Sequence, residues 1–152
     1  MRNAFVDEIT KISKKDKKII ILAGDIGYKL YDDFKLKFPN RFYNCGVAEA
    51  NMTTVAAGLA LKGFKPITYT IATFNVYKTI EQIKVDVAYP NLPVIIVGVG
   101  AGLSYSGLGS THHATEDIGV LRSIPNLNIV VPADAYELMS ILKEIIKSKK
   151  PT

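Results

Sequence analysis

LPVIIVGVG, residues 92–100, is the stretch that decides the fold. Between its proline and its glycines it is wholly apolar and β-branched, with no polar position in alternation. A strand with one wet face alternates, whereas a strand covered on both faces reads as a continuous apolar run, the habit of buried parallel sheets. KKIIILAG (17–24) repeats the pattern and is likewise closed by glycine. RFYNCG (41–46), KPITYTIA (65–72) and LNIVVP (127–132) read as further strands. Between them the apolar period becomes helical. Phe5, Ile9 and Ile12 predict a helix over 3–14, and Asp33–Phe38 a short one ended by Pro39. Positions 48, 52, 55, 56, 59 and 60 mark one face of a helix that stops at Gly63. Val76, Ile80, Ile83 and Val87 mark the next, which ends before Pro90, and a short helix follows over 116–123. Asp134 and Glu137 form a D-x-x-E cap for the last helix, with Leu138, Ile141, Leu142, Ile145 and Ile146 facing inward.

Strands and helices alternate throughout, which predicts an α/β fold: one domain over 1–152, three layers (αβα), with a mostly parallel sheet. Right-handed crossovers gather the turns after each strand on one edge, where ligands of such sheets bind. Asp25, Glu49, Phe74 and the 101–115 loop all follow strands and therefore share that edge. AGLSYSGLGSTHHATED (101–117) is polar, glycine-rich and long for a connection, and loops of that size are usually functional or disordered. No repeat, linker or low-complexity tract is seen, and KSKKPT reads as a domain edge.

Composition narrows the function classes. Of 152 residues, 48% are apolar and 22% charged, a soluble globular profile. No apolar run approaches the roughly 18 residues of a membrane span, and the N-terminus has no signal-peptide core. A single cysteine, Cys45, forms no internal disulfide, and no Cys/His spacing suits a metal, so a reducing, cytoplasmic setting is expected. The net charge of +5 comes from lysines at 11–18 and 143–150, on helix surface or crowding the end of the chain. That is solvated surface, not a nucleic-acid footprint. GLGST (107–111) lacks the lysine of a phosphate-binding P-loop.

CGVAEANMTTVAAGLALKG (45–63) then poses a problem. Glu49 is the only charged residue between Arg41 and Lys62, and glutamate is almost never buried without a partner. A helix N-terminus favours an acid through its dipole, which is the plain explanation. The surrounding residues point further. NCGVAEANM followed by AAGLALKGFKPITYTIATF, and then THHATEDIGVLRSIPNLNIVVPAD, resembles the pyrimidine-binding domain of the transketolase group of thiamine-diphosphate enzymes. The resemblance runs from about Asp25 to about Asp134, motif by motif in order.

It implies a thiamine-diphosphate-binding fold of the pyrimidine-domain type and transfer of a two-carbon ketol unit. Glu49 falls on the family glutamate that hydrogen-bonds N1′ of the aminopyrimidine and favours its imino tautomer; a carboxyl in apolar surroundings suits proton sharing. Phe74 falls on the phenylalanine that stacks on the pyrimidine and Tyr77 on a second aromatic, while the third would be Ile80. Asp25 and Ile26 line the cofactor site and Val47 the pyrimidine edge. His112 and His113 are the only histidines; adjacent side chains diverge, and His112, after Thr111, matches the family T-H that contacts sugar oxygens. Two departures concern substrate: the acid of the family D-G-P-T-H pattern is Leu108, and an upstream histidine falls near Gly100.

No G-D-G motif with a following N-N pair is present, so the resemblance implies that Mg2+ or Ca2+ and the diphosphate are held by a partner domain or subunit. A homodimer or heterotetramer acting on a sugar-phosphate-like substrate follows, without nucleic acid or membrane. A third domain usually comes after the K-P-T segment in such chains. The alternatives are a 2-oxo acid decarboxylase or synthase component, and a non-catalytic interface subunit of the same fold.

Overall fold

Four parallel strands form the centre of the computed structural model, which describes residues 1–152. β1 (Ile19–Ala23) lies between β2 (Phe42–Asn44) and β3 (Lys65–Ile71), and β4 (Ile95–Val99) pairs with the far side of β3. Ile21 stands opposite Phe42 and Ile67, and Ile67 opposite Ile95. The helices are α1 (Arg2–Lys15), α2 (Asp32–Lys37), α3 (Glu49–Leu61), α4 (Ala72–Val76), α5 (Ile80–Gln82), α6 (Asp117–Leu121) and α7 (Ala135–Lys147).

The pleat of β1 explains its lack of polar positions. Ile19 and Ile21 pack with Phe5 and Ile9 of α1, Phe34 of α2 and Leu142 and Ile146 of α7. Ile20 and Leu22 face the other way, onto Met52, Ala56 and Ala60 of α3 and onto Val87 and Val94. Burying each such aliphatic side chain stabilises by about 1.5–3 kcal/mol. Asp134 caps α7 as expected: its Oδ1 accepts from Tyr136 N at 2.8 Å and Glu137 N at 2.9 Å, and Glu137 accepts from Ala133 N at 2.6 Å.

Three expectations are corrected. Residues 127–132 form no ladder. Pro151 and Thr152 occupy the neighbouring position instead: Thr152 N donates to Val94 O, Ile96 N to Thr152 O, and Asn128 N to Pro151 O. The helix over Val76–Val87 is broken into α4, a 3₁₀ turn (Tyr77–Thr79), α5 and a π turn (Ile83–Ala88). Within it Asn75 is buried and donates to Val97 O at 3.0 Å, while Thr79 Oγ1 bonds back to Asn75 O at 2.6 Å. Such side-chain bonds to backbone compete with a regular helix. Finally, α3 buries Glu49, Met52, Thr53, Ala56, Ala57 and Ala60, while Ala48 and Val55 are exposed. Small and apolar residues lie on every side of the helix, with polar ones on both the buried and the exposed side, so hydropathy alone does not orient it.

An ionic corner fixes the N-terminal side of the sheet. Asp16 accepts from Lys65 Nζ at 2.8 Å and from Lys18 N at 2.9 Å, and Arg41 donates to the carbonyls of Ser13 and Asp16, both at 2.9 Å. Burial pushes the Asp16 carboxyl upward, but the bonds from Lys65 and Lys18 outweigh it and hold the group below its usual 3.8. A depressed folded-state value adds stability above pH 3.8 that is lost as pH falls below it. Asp16→Asn is therefore expected to cost about 1 kcal/mol at pH 7 in urea unfolding, with the difference from wild type shrinking towards pH 3.

Candidate functional site

The turns after β1, β2 and β3 converge on one edge, as the topology requires, and Glu49 lies at their centre. It is the first residue of α3, and its side chain is only 1% exposed. A Cβ added to Gly24 would lie 3.0 Å from the Thr70 side chain and 3.5 Å from Glu49 Cγ. A side chain at position 24 would thus crowd Thr70, and Gly24 leaves the space beside the acid free. The carboxylate has one side-chain partner, Lys78, whose Nζ lies 2.5 Å from Oε2. Lys78 itself is 47% exposed.

Phe74 stands next to this pair, half-buried at the start of the broken helix, with Lys78 Nζ 5.7 Å from its ring centroid. The His112 ring meets Phe74 edge-on at 5.1 Å, and Tyr105 packs against His112 at 6.3 Å. Thr111 Oγ1 is 3.0 Å from His112 Nδ1. Glu49, Phe74 and His112, far apart in sequence, therefore form one cluster, whereas His113 lies apart with its Nε2 3.4 Å from Ser106 O.

The other expected residues line its rim or support it. Asp25 is exposed and left-handed (φ 52°), a conformation Asp tolerates. Asn44 holds it there: Asn44 Nδ2 donates to Asp25 Oδ1 at 3.0 Å, and Asn44 Oδ1 accepts from Asp25 N at 3.2 Å and Gly46 N at 2.9 Å. This clamps the turn after β1 to the turn after β2. Val47 is open to solvent on that rim, while Ile26 is half-buried and packs against the core cluster beneath α1 and α7. Cys45 is half-buried, and burial pushes its thiol up, so it behaves as a small apolar side chain.

Tyr77 does something the sequence did not show. Its hydroxyl donates to Glu116 Oε2 at 2.9 Å and accepts from Glu116 N at 3.1 Å. Burial, then the neighbouring Glu116, raises the Tyr77 phenol, while the Tyr77 bond lowers the Glu116 carboxyl below its usual 4.5. A raised phenol and a lowered carboxyl both keep the donor protonated and the acceptor ionised at neutral pH, so the contact persists there. It ties the 101–116 loop, which carries His112, to the turn beside Phe74. Tyr77→Phe is expected to speed proteolytic cleavage of that loop several-fold, about the loss of one hydrogen bond to a charged group. Equal cleavage rates for variant and wild type would show that the bond holds nothing in place.

Asn44, Lys78 and Glu116 were missed in the sequence. Only Glu49 gave notice, since an isolated acid in an apolar run demands a partner. Gly100 also acquires a reason: its φ is 76°, and a Cβ there would collide with the Tyr105 ring. Tyr105 fills the space in which a side chain at position 100 would sit. No three His, Cys, Asp or Glu side chains gather into a metal-holding group.

Comparison with known proteins shows the family and the fold. A family model described as "Transketolase, pyrimidine binding domain" matches residues 1–152. The chain is 38% identical over 151 residues to one subunit of the apulose-4-phosphate transketolase of Phocaeicola vulgatus, covering 99% of this chain and 48% of that protein. It is 38% identical over 149 residues to the 1-deoxy-D-xylulose-5-phosphate synthase of Natranaerobius thermophilus, covering 97% of this chain and 23% of that one. A solved structure, "Split gene transketolase, inactive beta4 tetramer", superposes with a TM-score of 0.88 at 34% identity, over 99% of this chain and 48% of its own. The chain thus spans about half the length of these two split-type transketolase relatives.

Proposed function

The chain belongs to the transketolase pyrimidine-binding domain family, and on that premise we propose that it supplies the aminopyrimidine side of a thiamine-diphosphate-dependent enzyme that transfers a two-carbon ketol unit. The observation that carries this is the placing of a carboxylate 1% exposed beside the half-buried ring of Phe74, with one exposed lysine reaching both. An aminopyrimidine has apolar faces and nitrogens around its rim; a buried hydrogen-bonding group suits N1′ and an aromatic plane suits a face, and this edge of the sheet carries both.

Glu49 would hold the proton at the ring nitrogen N1′, from a side chain 1% exposed at the first residue of α3. Phe74 would orient the ring, Val47 would cover its edge, and Asp25 and Ile26 would border the thiazolium side. His112, in the loop tied down by Tyr77 and Glu116, would contact substrate oxygens. When bound, thiamine diphosphate supplies the electron sink, and the protein supplies orientation and electrostatics.

The remaining half of the site comes, in this reading, from a diphosphate-binding subunit or domain that holds Mg2+ or Ca2+, in a homodimer or heterotetramer. A reducing, cytoplasmic setting fits the single Cys45. The substrate is sugar-phosphate-like, but with Leu108 in place of an acid and Tyr105 over Gly100, it is held by different contacts from those of a typical sugar-phosphate transketolase. Leu108 and the likeness to a synthase favour one second reading, a 2-oxo acid decarboxylase or synthase component.

The test is reconstitution with the diphosphate-binding partner, thiamine diphosphate and Mg2+, assayed with ketose phosphates as donors and separately with 2-oxo acids. Ketol transfer supports the first reading and 2-oxo acid turnover the second. Neither activity in a cofactor-saturated assembly would leave the chain as an interface subunit.

A further inference from the structure

Lys78 belongs to none of the roles above, yet its ammonium is the only side-chain group bonded to the Glu49 carboxylate, and it also stands over Phe74. It therefore occupies both contacts that an aminopyrimidine would need. The two members of the ion pair differ in burial: Glu49 is 1% exposed and Lys78 47%. On leaving, the ammonium regains water at little cost. The carboxylate has no such recourse, because a buried charge stripped of its partner is strongly destabilising. The pair can thus open readily only when another group takes Glu49 in the same step. Lys78 is also well placed to swing away, since it sits on the 3₁₀ turn Tyr77–Thr79, between α4 and α5, with its tip at the surface.

We propose that Lys78 is a place-holder for the cofactor ring: its ammonium neutralises Glu49 and covers Phe74 in the unloaded enzyme, and it must be displaced from both before the aminopyrimidine can enter. This rests on the reading of Glu49 as the pyrimidine-binding acid. Lys78 thereby weakens cofactor binding, because part of the binding energy is spent on breaking the ion pair, and in return it keeps the empty site from stranding a buried charge.

The experiment is calorimetric titration of thiamine diphosphate, with saturating Mg2+, into the enzyme reconstituted from this chain and its diphosphate-binding partner. Lys78→Met and Lys78→Gln are expected to bind about tenfold more tightly than wild type. Lys78→Arg, which keeps the pair, should bind as wild type does, and Glu49→Gln should bind more weakly. In the double variant Glu49→Gln/Lys78→Met, affinity should equal that of Glu49→Gln alone, because the coupling runs through the carboxylate. Without cofactor, Lys78→Met should lower the unfolding midpoint of the chain and the double variant should recover it. Unchanged or weaker affinity in both Lys78→Met and Lys78→Gln, with Glu49→Gln still weakened, overturns the place-holder role and leaves the Glu49 reading intact. Wild-type affinity in Glu49→Gln overturns both.

Discussion

Glu49→Gln is expected to lower turnover of the assembled, cofactor-saturated enzyme by on the order of 10²- to 10⁴-fold, the range that a positioned general acid–base group contributes. The amide keeps the size of the side chain and its place beside Gly24, but it cannot exchange a proton with a ring nitrogen. Folding should survive. The substitution removes a buried charge together with its need for Lys78, and Lys78 is exposed enough to return to water. Glu49→Ala would lose the same chemistry and also leave a void beside Gly24 and Thr53, so its unfolding midpoint should fall further. The two variants separate chemistry from packing: equal losses of activity with unequal losses of stability are the expected signature. Near-normal turnover by Glu49→Gln at saturating cofactor would remove the acid from the reaction and leave its burial without a functional reason.

Legibility in the sequence tracked how local each determinant was. β1 could be read because a doubly covered strand writes its environment into every position, and Ile19–Leu22 are shared between two opposed clusters; β4 was legible as a strand from its β-branched run, although Ile96 and Val97 are only half-buried and Gly98 is exposed. The cap of α7 was equally legible, since Asp134 and Glu137 act within one helical turn. LNIVVP was misread for the opposite reason: its composition reports only an extended chain, whereas ladder membership depends on what lies alongside, and there Pro151 and Thr152 take the edge of β4. The face of α3 was misjudged because Ala, Thr and Gly surround it and no polar stripe marks the outside. For the candidate site, Glu49 was visible as an anomaly and Phe74, Tyr77 and His112 through family motifs. The contacts between them were not visible: Lys78 reaches Glu49 across 29 residues, Tyr77 reaches Glu116 across 39, and Asn44 meets Asp25 across 19, so each bond exists only once the strands are side by side.

Phe74→Ala is expected to have the second largest effect, and on affinity rather than on the proton. A ring stacked on a flat ligand contributes about 0.5–1.5 kcal/mol beyond the apolar area it covers, and losing that area as well brings the total to about 2–3 kcal/mol, or roughly 30- to 150-fold in the dissociation constant of thiamine diphosphate. Because Phe74 is only half-buried in the chain itself, its removal should disturb stability much less than truncation of a core residue such as Met52. Phe74→Leu restores apolar area without a planar face and should fall between the two, which distinguishes stacking from simple burial. A second consequence follows from the edge-on contact with His112 at 5.1 Å. Without the ring, the imidazole loses a wall, so the KM for substrate should rise even when cofactor is saturating. In Tyr77→Phe, by contrast, the Phe74 ring and its face are intact, and the effect should fall on loop cleavage with cofactor affinity little changed. If Phe74→Ala bound thiamine diphosphate as tightly as wild type, the pyrimidine could not lie on this face, and the position of Lys78 over the same ring would lose its meaning as well.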